Sequence, residues 1–262
     1  MRDLKKILTI AGSDCSGGAG IQADIKTITA HKMYAMSVIT ALTAQNTMGV
    51  YGVSEATPDF VAEQIDCVFS DIRPDAVKIG MVSSGEIIAA IAERLALHKA
   101  ENIVLDPVMV ASSGGSLISQ EAINTLKAKL FPMAAMITPN IPEAELLSKM
   151  RIENRDDMVT AAEIIANQIS GMVLVKGGHL FDSADDLLYK EGVCHWFRSE
   201  QIDNPNTHGT GCTLSSAIAC NMAMGMLPKE AVKNAKEYVT GAIKAGLNLG
   251  KGRGPLCHYY RL

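Results

Sequence analysis

The chain has 262 residues, of which 48% are hydrophobic and 20% charged, and its formal net charge at pH 7 is −4. This length can bury a large core and no stretch resembles a linker, so we expect a single domain over residues 1–262. The slightly acidic balance excludes the basic surface that nucleic acid or an anionic membrane requires. A small-molecule partner fits this composition better.

The N-terminal segment is not typical of an exported or membrane-inserted protein. The apolar run at residues 7–12 is too short for the hydrophobic part of a signal peptide or for a membrane span. The six cysteines include no C-x-x-C pair, and a chain of this size needs no disulfides, so we expect reduced thiols. We therefore expect a cytoplasmic protein.

Short apolar runs alternate with amphipathic helical patterns, which predicts an α/β protein with a mostly parallel sheet and helices on both faces. An antiparallel hairpin is predicted at residues 187–198. In chain order, the predicted strands are 6–11, 37–44, 76–79, 103–105, 135–138 and 172–175, and the predicted helices are 21–31, 58–70, 84–98, 120–130, 156–169, 211–226 and 228–247.

Glycines and polar residues follow each predicted strand. Ligands of such sheets bind outside the carboxyl ends of the strands, where loops lead into helices. The sequence therefore predicts one shared site from several separate segments, which are residues 12–20, 45–46, 80–81, 106–107, 140–143 and 176–178.

The first glycine cluster, residues 12–20, lies between a strand and a helix, and residues 18–23 fit G-x-G-x-x-A. A dinucleotide site needs an acidic residue about 20 positions later, and none occurs between Asp24 and Glu55. We predict that this loop, with Ser13, Asp14 and Asp24, surrounds a small substrate. A tight turn that only starts a helix is the alternative.

The second glycine cluster, residues 206–213, opens an apolar helix. Backbone N–H groups at a helix start, supported by the helix dipole, bind anions such as a phosphoryl group. Cys212 lies in the first turn, where the dipole favours a thiolate that can accept a proton, although an inert buried thiol is the alternative. His208 is four residues away, but no second pair accompanies it, so we reject a zinc site.

Four further residues, at the ends of three strands, suit a bound nucleotide. Asp106 follows a buried strand, where an Asp can hold Mg²⁺ beside phosphates. Asn140 and Glu143 lie three apart at a strand-to-helix junction, where Glu143 can equally be an ordinary acid of a helix N-terminus. Lys176 ends another strand and can pair with phosphate, or be simply solvated.

Taken together, these motifs resemble the bacterial hydroxymethylpyrimidine/phosphomethylpyrimidine kinases of thiamine biosynthesis, which belong to the ribokinase superfamily. The resemblance runs in order over almost the whole chain. Its segments are residues 11–14, 16–24, 40–47 (TALTAQNT), 78–81, 105–109 (LDPVM), 138–140, 142–143, 176–179 (KGGH), 206–214 (NTHGTGCTL) and 252–255, with His258.

The resemblance implies a ribokinase-like three-layer sandwich, usually a homodimer, that uses Mg²⁺ and ATP. It implies phosphorylation of 4-amino-5-hydroxymethyl-2-methylpyrimidine to the monophosphate and then to the diphosphate. It assigns Gln45 to the aminopyrimidine, Gly12, Asp24, Met81 and Val108 to the substrate pocket, Gly209, Gly211 and Cys212 to the anion hole and catalytic position, Asp106 to the metal, and Asn140, Glu143, Lys176 and Thr210 to the nucleotide.

Most sugar kinases of the superfamily carry Asp where this chain has Cys212. A fixed carboxylate would repel a phosphate acceptor, so we hypothesise that a thiol suits an enzyme that phosphorylates both an alcohol and a phosphate.

Three alternatives remain open at the level of the sequence. A pyridoxal or pyridoxine kinase acts on another ring that bears a hydroxymethyl group, and only Gln45 argues for the pyrimidine. An NAD-dependent oxidoreductase is disfavoured by the missing ribose acid. A non-catalytic module that binds the pyrimidine is disfavoured by the presence of Asp106, Gly209 and Cys212.

Overall fold

A computed structural model describes residues 4–109, 118–178, 185–198 and 202–262. Its described part forms a nine-stranded sheet in the order β3-β2-β1-β4-β5-β6-β7-β8-β9. The six strands from β2 to β7 in that order are parallel, and β3, β8 and β9 pair antiparallel with their neighbours. The strands are β1 (Lys6–Asp14), β2 (Tyr34–Asn46), β3 (Gly49–Glu55), β4 (Ala76–Ile79), β5 (Ile103–Leu105), β6 (Met136–Ile137), β7 (Met172–Val175), β8 (Asp186–Lys190) and β9 (Val193–Phe197).

Helices cover both faces of this sheet. One apolar core lies under α2 to α6, and a second lies under α1, α7 and α8, which gives three layers. The helices are α1 (Gly20–Ala30), α2 (Pro58–Asp71), α3 (Gly85–Leu97), α4 (Gln120–Lys129), α5 (Ile141–Ser148), α6 (Arg155–Ala166), α7 (Thr210–Ala223) and α8 (Pro228–Ala245), and a short 3-10 helix spans Phe131–Met133.

The predicted α/β sandwich with a mostly parallel sheet is confirmed. The buried strands β4, β5 and β7 have the predicted bounds, because each is a short apolar run between polar residues. The edge hairpin is also present, as β8 and β9.

Three local predictions need correction. Gly12 lies inside β1 and not in the following loop, because the strand continues to Asp14 in register with β2. The seven-residue β3 was not predicted, and the eight-residue α5 was missing from the predicted helices, although a strand-to-helix junction was predicted at residues 140–143. Almost every residue of β3 is exposed, so the strand has no buried face to produce an apolar pattern.

Candidate active site

A cleft of about 1410 Å³ opens at the carboxyl ends of the parallel strands. A single small-molecule site measures roughly 300–1,000 Å³, so this cleft has room for two reactants. Every predicted site residue except Asp24 lines it, and the list is Gly12, Gln45, Met81, Asp106, Val108, Asn140, Glu143, Lys176, Gly209, Thr210, Gly211 and Cys212. The structure thus brings together segments that are far apart in sequence, whereas the role of each residue stays a prediction.

The start of α7 forms one wall of the cleft. Gly209 precedes the helix with φ 84°, a left-handed conformation, and a Cβ there would collide with the backbone oxygen of Gly18. Glycine is therefore needed both for the turn and for the close approach of the two glycine loops. Gly211 and Cys212 line the cleft in the first turn of α7, and N–H groups at a helix start have no partner within the helix, so this turn can bind an anion.

A buried ion pair lies opposite this helix start. Lys176 Nζ is 2.8 Å from Asp106 Oδ1, and Thr138 donates a 2.9 Å hydrogen bond to the same oxygen. A Cβ on Gly211 would lie 3.3 Å from Asp106 Oδ2 and 3.4 Å from Lys176 Nζ, so the pair is close to the first turn of α7. Burial alone would raise the pKa of Asp106, but Lys176 and Lys78 hold that pKa below its usual range.

Glu143 belongs to a capping box at the start of α5. Asn140 Oδ1 accepts from the Glu143 backbone N–H at 2.9 Å, and Glu143 Oε2 accepts from the Asn140 N–H at 2.8 Å. The alternative of a helix N-terminal acid is therefore present in the structure. Burial raises the pKa of Glu143 to about 7, and Lys176 offsets part of this effect while Asp106 adds to it. A bound cation near Glu143 would favour its ionised form and offset the effect of Asp106.

The prediction of a thiolate at Cys212 needs correction. The half-buried thiol lines the cleft, but burial raises its pKa to about 11. Lys78 and the Gly20 N–H favour the thiolate, whereas Asp24 and Asp106 oppose it. Desolvation therefore outweighs Lys78 and the Gly20 N–H, and the resting side chain is a neutral thiol.

Asp24 lies elsewhere than predicted. Its carboxylate is fully buried beneath the cleft and accepts hydrogen bonds from Thr9, Lys78 and Ser216 at 2.6 to 3.0 Å. These protein donors satisfy both carboxylate oxygens, and Asp24 does not line the cleft, so the predicted place in the substrate pocket is corrected. Asp24 was predicted to help surround the substrate, whereas its side chain faces the core.

Asp14 and His208 form a hydrogen-bonded cluster beside Gln45 that the sequence did not predict. His208 Nε2 donates to Asp14 Oδ2 at 2.8 Å and lies 3.3 Å from Gln45 Nε2. Asp14 also accepts from the backbone N–H groups of Gly18 and Ala19. Burial alone would raise the pKa of Asp14, but His208, Ser16 and Ala19 hold that pKa well below its usual range. The cluster therefore fixes the first glycine loop and the flank of Gln45.

His179, part of the sequence resemblance, lies outside the described residues. Within the described ranges, no group of three or more His, Cys, Asp or Glu side chains is arranged to hold a metal ion by itself. The same part of the chain contains no helix long and apolar enough to cross a membrane. All six cysteines are free thiols, as predicted.

A three-layer α/β sandwich with a glycine-rich helix start, a lysine–carboxylate pair and space for two reactants in one cleft defines a ribokinase-like phosphotransferase. The model of the family "Phosphomethylpyrimidine kinase" matches residues 14–257, and the chain belongs to that family.

Curated relatives agree with this assignment. The chain is 50% identical over 254 residues to the thiamine biosynthesis bifunctional protein of Geobacter sulfurreducens, covering 96% of this chain and 52% of that protein. Thus it spans about half of that relative. It is 47% identical over 258 residues to the hydroxymethylpyrimidine/phosphomethylpyrimidine kinase of Salmonella typhimurium, covering 97% of each chain.

Solved structures agree as well. The phosphomethylpyrimidine kinase of Clostridium difficile is 48% identical with a TM-score of 0.83, over 91% of this chain and 99% of that chain. An ADP complex of Bacillus subtilis pyridoxal kinase is 38% identical with a TM-score of 0.90, over 98% of each chain. The family match favours a kinase over the oxidoreductase and over the non-catalytic module.

Proposed function

We propose that this kinase phosphorylates 4-amino-5-hydroxymethyl-2-methylpyrimidine with Mg-ATP, first to the monophosphate and then to the diphosphate, as a step of thiamine biosynthesis. The observation that carries the proposal is the arrangement of the cleft. Gln45, Lys176 and the start of α7 line one cleft, in which we assign the Gln45 side, called the acceptor wall, to the acceptor and the Lys176 side, called the nucleotide wall, to the nucleotide. The relatives' names point to the same acceptor.

The acceptor wall suits an aminopyrimidine. Gln45 offers one amide donor and one amide acceptor, which matches an exocyclic amine next to a ring nitrogen. Gly12, Met81 and Val108 line the same cleft and supply a narrow, mostly apolar slot for a flat ring. A Cβ on Gly12 would lie 3.1 Å from the Met81 methyl, so glycine keeps this slot open.

The nucleotide wall suits a magnesium nucleotide. Asp106 and Glu143 supply hard oxygen ligands, and Mg²⁺ in kinases is held by few carboxylates together with phosphates and water. The raised pKa of Glu143, to about 7, marks a site where a cation would be stabilising. Lys176, Asn140 and Thr210 would contact the phosphates beside it. When bound, Mg²⁺ would neutralise the phosphate charge, and a chelator should therefore abolish turnover.

The chain's own groups would act mainly by positioning. The N–H groups of Gly211 and Cys212 would stabilise charge on the transferred phosphoryl group. In the first step, the neutral Cys212 thiol would first lose its proton to solvent. The thiolate would then accept the hydroxyl proton as the bond from the acceptor oxygen to phosphorus forms and the bond from phosphorus to the leaving ADP breaks, which restores the neutral thiol. In the second step the acceptor is already an anion and needs no base.

A second acceptor class is pyridoxine and its relatives. Pyridoxal kinases of Bacillus subtilis and Staphylococcus aureus superpose on this chain with TM-scores of 0.90 to 0.91, and the latter was solved with pyridoxal. These proteins are 35% to 38% identical to this chain, below the 48% of the phosphomethylpyrimidine kinase. We therefore rank the pyrimidine first.

We further propose a cytoplasmic homodimer. The antiparallel pair β2–β3 exposes an apolar surface at Leu42, Met48, Tyr51 and Val53, which are 48% to 70% exposed. Such a surface on a sheet edge fits a second copy of the chain, and sedimentation velocity distinguishes dimer from monomer. Free thiols fit a reducing compartment, which fractionation of the source cells tests.

The assay that tests the proposal offers hydroxymethylpyrimidine, its monophosphate and pyridoxine in parallel with ATP and Mg²⁺, and follows products by mass spectrometry. We expect the mono- and diphosphate of the pyrimidine. Turnover of pyridoxine alone would contradict the proposal and would remove Gln45 as a specificity residue.

A further inference from the structure

A buried lysine lies under the catalytic end of α7 and has no place in the mechanism above. Lys78 is the third residue of β4, a strand otherwise formed by apolar side chains, and its side chain is fully buried. A lysine is almost never fully buried unless it is paired. Its Nζ lies 2.8 Å from Asp24 Oδ2 and 3.0 Å from Oδ1.

The surrounding backbone makes room for this ammonium group. A Cβ added to Gly80 would lie 2.6 Å from Lys78 Nζ and 3.1 Å from the Ala11 side chain. Glycine at position 80 therefore lets the ammonium lie at the carboxyl end of β4, directly under the cleft. A side chain there would have to displace the charge.

Asp24 connects this ammonium to α7. Ser216 donates a 2.8 Å hydrogen bond to Asp24 Oδ1, the oxygen that also accepts from Lys78. Ser216 lies one turn after Cys212 on α7, and Asp24 lies one turn after Gly20 on α1. The Gly20 N–H in turn contacts the Cys212 sulfur. Two contacts therefore join α1 to α7. Gly20 contacts Cys212, and one turn further along both helices Asp24 contacts Ser216.

We propose that Lys78 is a positioning residue for phosphoryl transfer, which fixes the turn of α7 that carries Cys212 and supplies the positive charge that a Cys212 thiolate requires. This inference rests on the proposed function. The charged groups that face the thiol are Lys78, Lys176, Asp24 and Asp106. Lys176 is paired with Asp106 at the nucleotide wall, so Lys78 is the cation on the acceptor side of this set.

Lys78 and Asp24 should have opposite effects on the reactivity of the Cys212 thiol. Lys78 favours the thiolate and Asp24 disfavours it. Removing the lysine charge should slow the reaction of Cys212 with an alkylating agent, whereas removing the aspartate charge alone should accelerate it. A role that is only structural would change both rates in the same direction.

The experiment measures the alkylation rate of Cys212 by iodoacetamide at pH 8, resolved by peptide mass spectrometry, in the full-length protein. The double variant Lys78→Met with Asp24→Asn replaces the ion pair by two neutral groups of similar shape. We expect its alkylation rate to fall about threefold, because the lost effect of Lys78 is larger than the opposing lost effect of Asp24, and the rate in Asp24→Asn to rise about tenfold. Lys5→Met is the matched control. It removes an ion pair with Asp75 at the opposite end of the sheet and should leave the alkylation rate of Cys212 unchanged.

Steady-state kinetics provide the second readout. We expect kcat of the double variant to fall about tenfold while KM for the acceptor stays within about twofold. Ser216→Ala removes one hydrogen bond and no charge, so it tests position alone in a variant that should fold. We expect its kcat to fall about threefold at unchanged KM.

Two results would overturn the inference. Alkylation rates that are unchanged, or that move in the same direction in the double variant and in Asp24→Asn, would remove the electrostatic role. An unchanged kcat in Ser216→Ala would remove the positional role. Because alkylation needs no substrate, a wild-type protein that fails to phosphorylate the pyrimidine would sink the proposed function and leave this measurement intact.

Discussion

At the scale of single residues, the cleft is built from opposite charges that cancel in pairs. Asp106 is held by Lys176, and Asp24 by Lys78, so neither carboxylate adds a free negative charge beside α7. The neutral thiol of Cys212 completes this pattern. An acceptor that already carries a phosphate can therefore approach without meeting an unpaired anion.

The substitution Cys212→Asp tests this account of the thiol. A carboxylate at this position would accept a proton from the alcohol but would repel the monophosphate. We expect the first phosphorylation to stay within about tenfold of the wild type and the second to fall about a hundredfold, measured as kcat/KM for each acceptor. Cys212→Ser is the neutral control: it removes the thiol base and adds no charge, so it should slow the first step and leave the second within about threefold of the wild type. A second step untouched by the aspartate would refute the hypothesis.

At the scale of elements, the C-terminal segment holds the start of α7 from behind. The His208 N–H donates to Gly254 O at 3.1 Å, and the Gly254 N–H donates to Asn206 Oδ1 at 3.1 Å. Deeper in the helix, Thr213 Oγ1 lies 3.0 Å from His258 Nε2. Gly254 and His258 thus hold the start of α7 in place, although neither residue lines the cleft.

His258 makes this support dependent on pH. Burial lowers the pKa of His258 to about 4, with Lys26 adding to the effect. An unfolded histidine titrates near 6.5, so the stability that depends on the neutral ring is complete above about pH 6.5 and is lost as pH falls toward 4. The side chain is 2% exposed, and the full loss amounts to about 3 kcal/mol.

Urea denaturation between pH 4 and pH 7.5 measures this loss. The variant His258→Gln keeps a polar group near Thr213 but does not titrate, so its stability should depend less on pH over this range. Equal pH dependence in the variant and the wild type would show that His258 is not the titrating group. His31, whose pKa is also lowered by burial, contributes to both proteins equally and is cancelled by the comparison.

At the scale of the whole molecule, the parallel sheet gathers distant segments at one edge. The sequence predicts this gathering in two steps. Short apolar runs such as β5 and β7 predict buried strands, and the polar residues that follow parallel strands lie together at their carboxyl edge. The cleft residues were therefore predictable from their position after a strand. The exposed strand β3 was not, since it lacks an apolar face.

Side-chain pairing was the least predictable feature. Asp24 lies on α1, and its sequence neighbours do not show that it faces a lysine 54 positions away. Lys78 interrupts an apolar strand, and a charged residue in such a strand indicates a buried partner without identifying it. His208 was considered only as a metal ligand, although its partner is Asp14, 194 positions earlier. Such contacts depend on how helices pack across the sheet, which periodicity alone does not determine.

The central claim is that one cleft performs both phosphorylations. The most direct test measures how the pyrimidine monophosphate inhibits phosphorylation of the pyrimidine alcohol at saturating Mg-ATP. If one site binds both acceptors, inhibition is competitive and the inhibition constant equals the KM of the monophosphate as a substrate. Noncompetitive inhibition, or none at concentrations where the monophosphate is itself turned over, would contradict a single acceptor site at the start of α7.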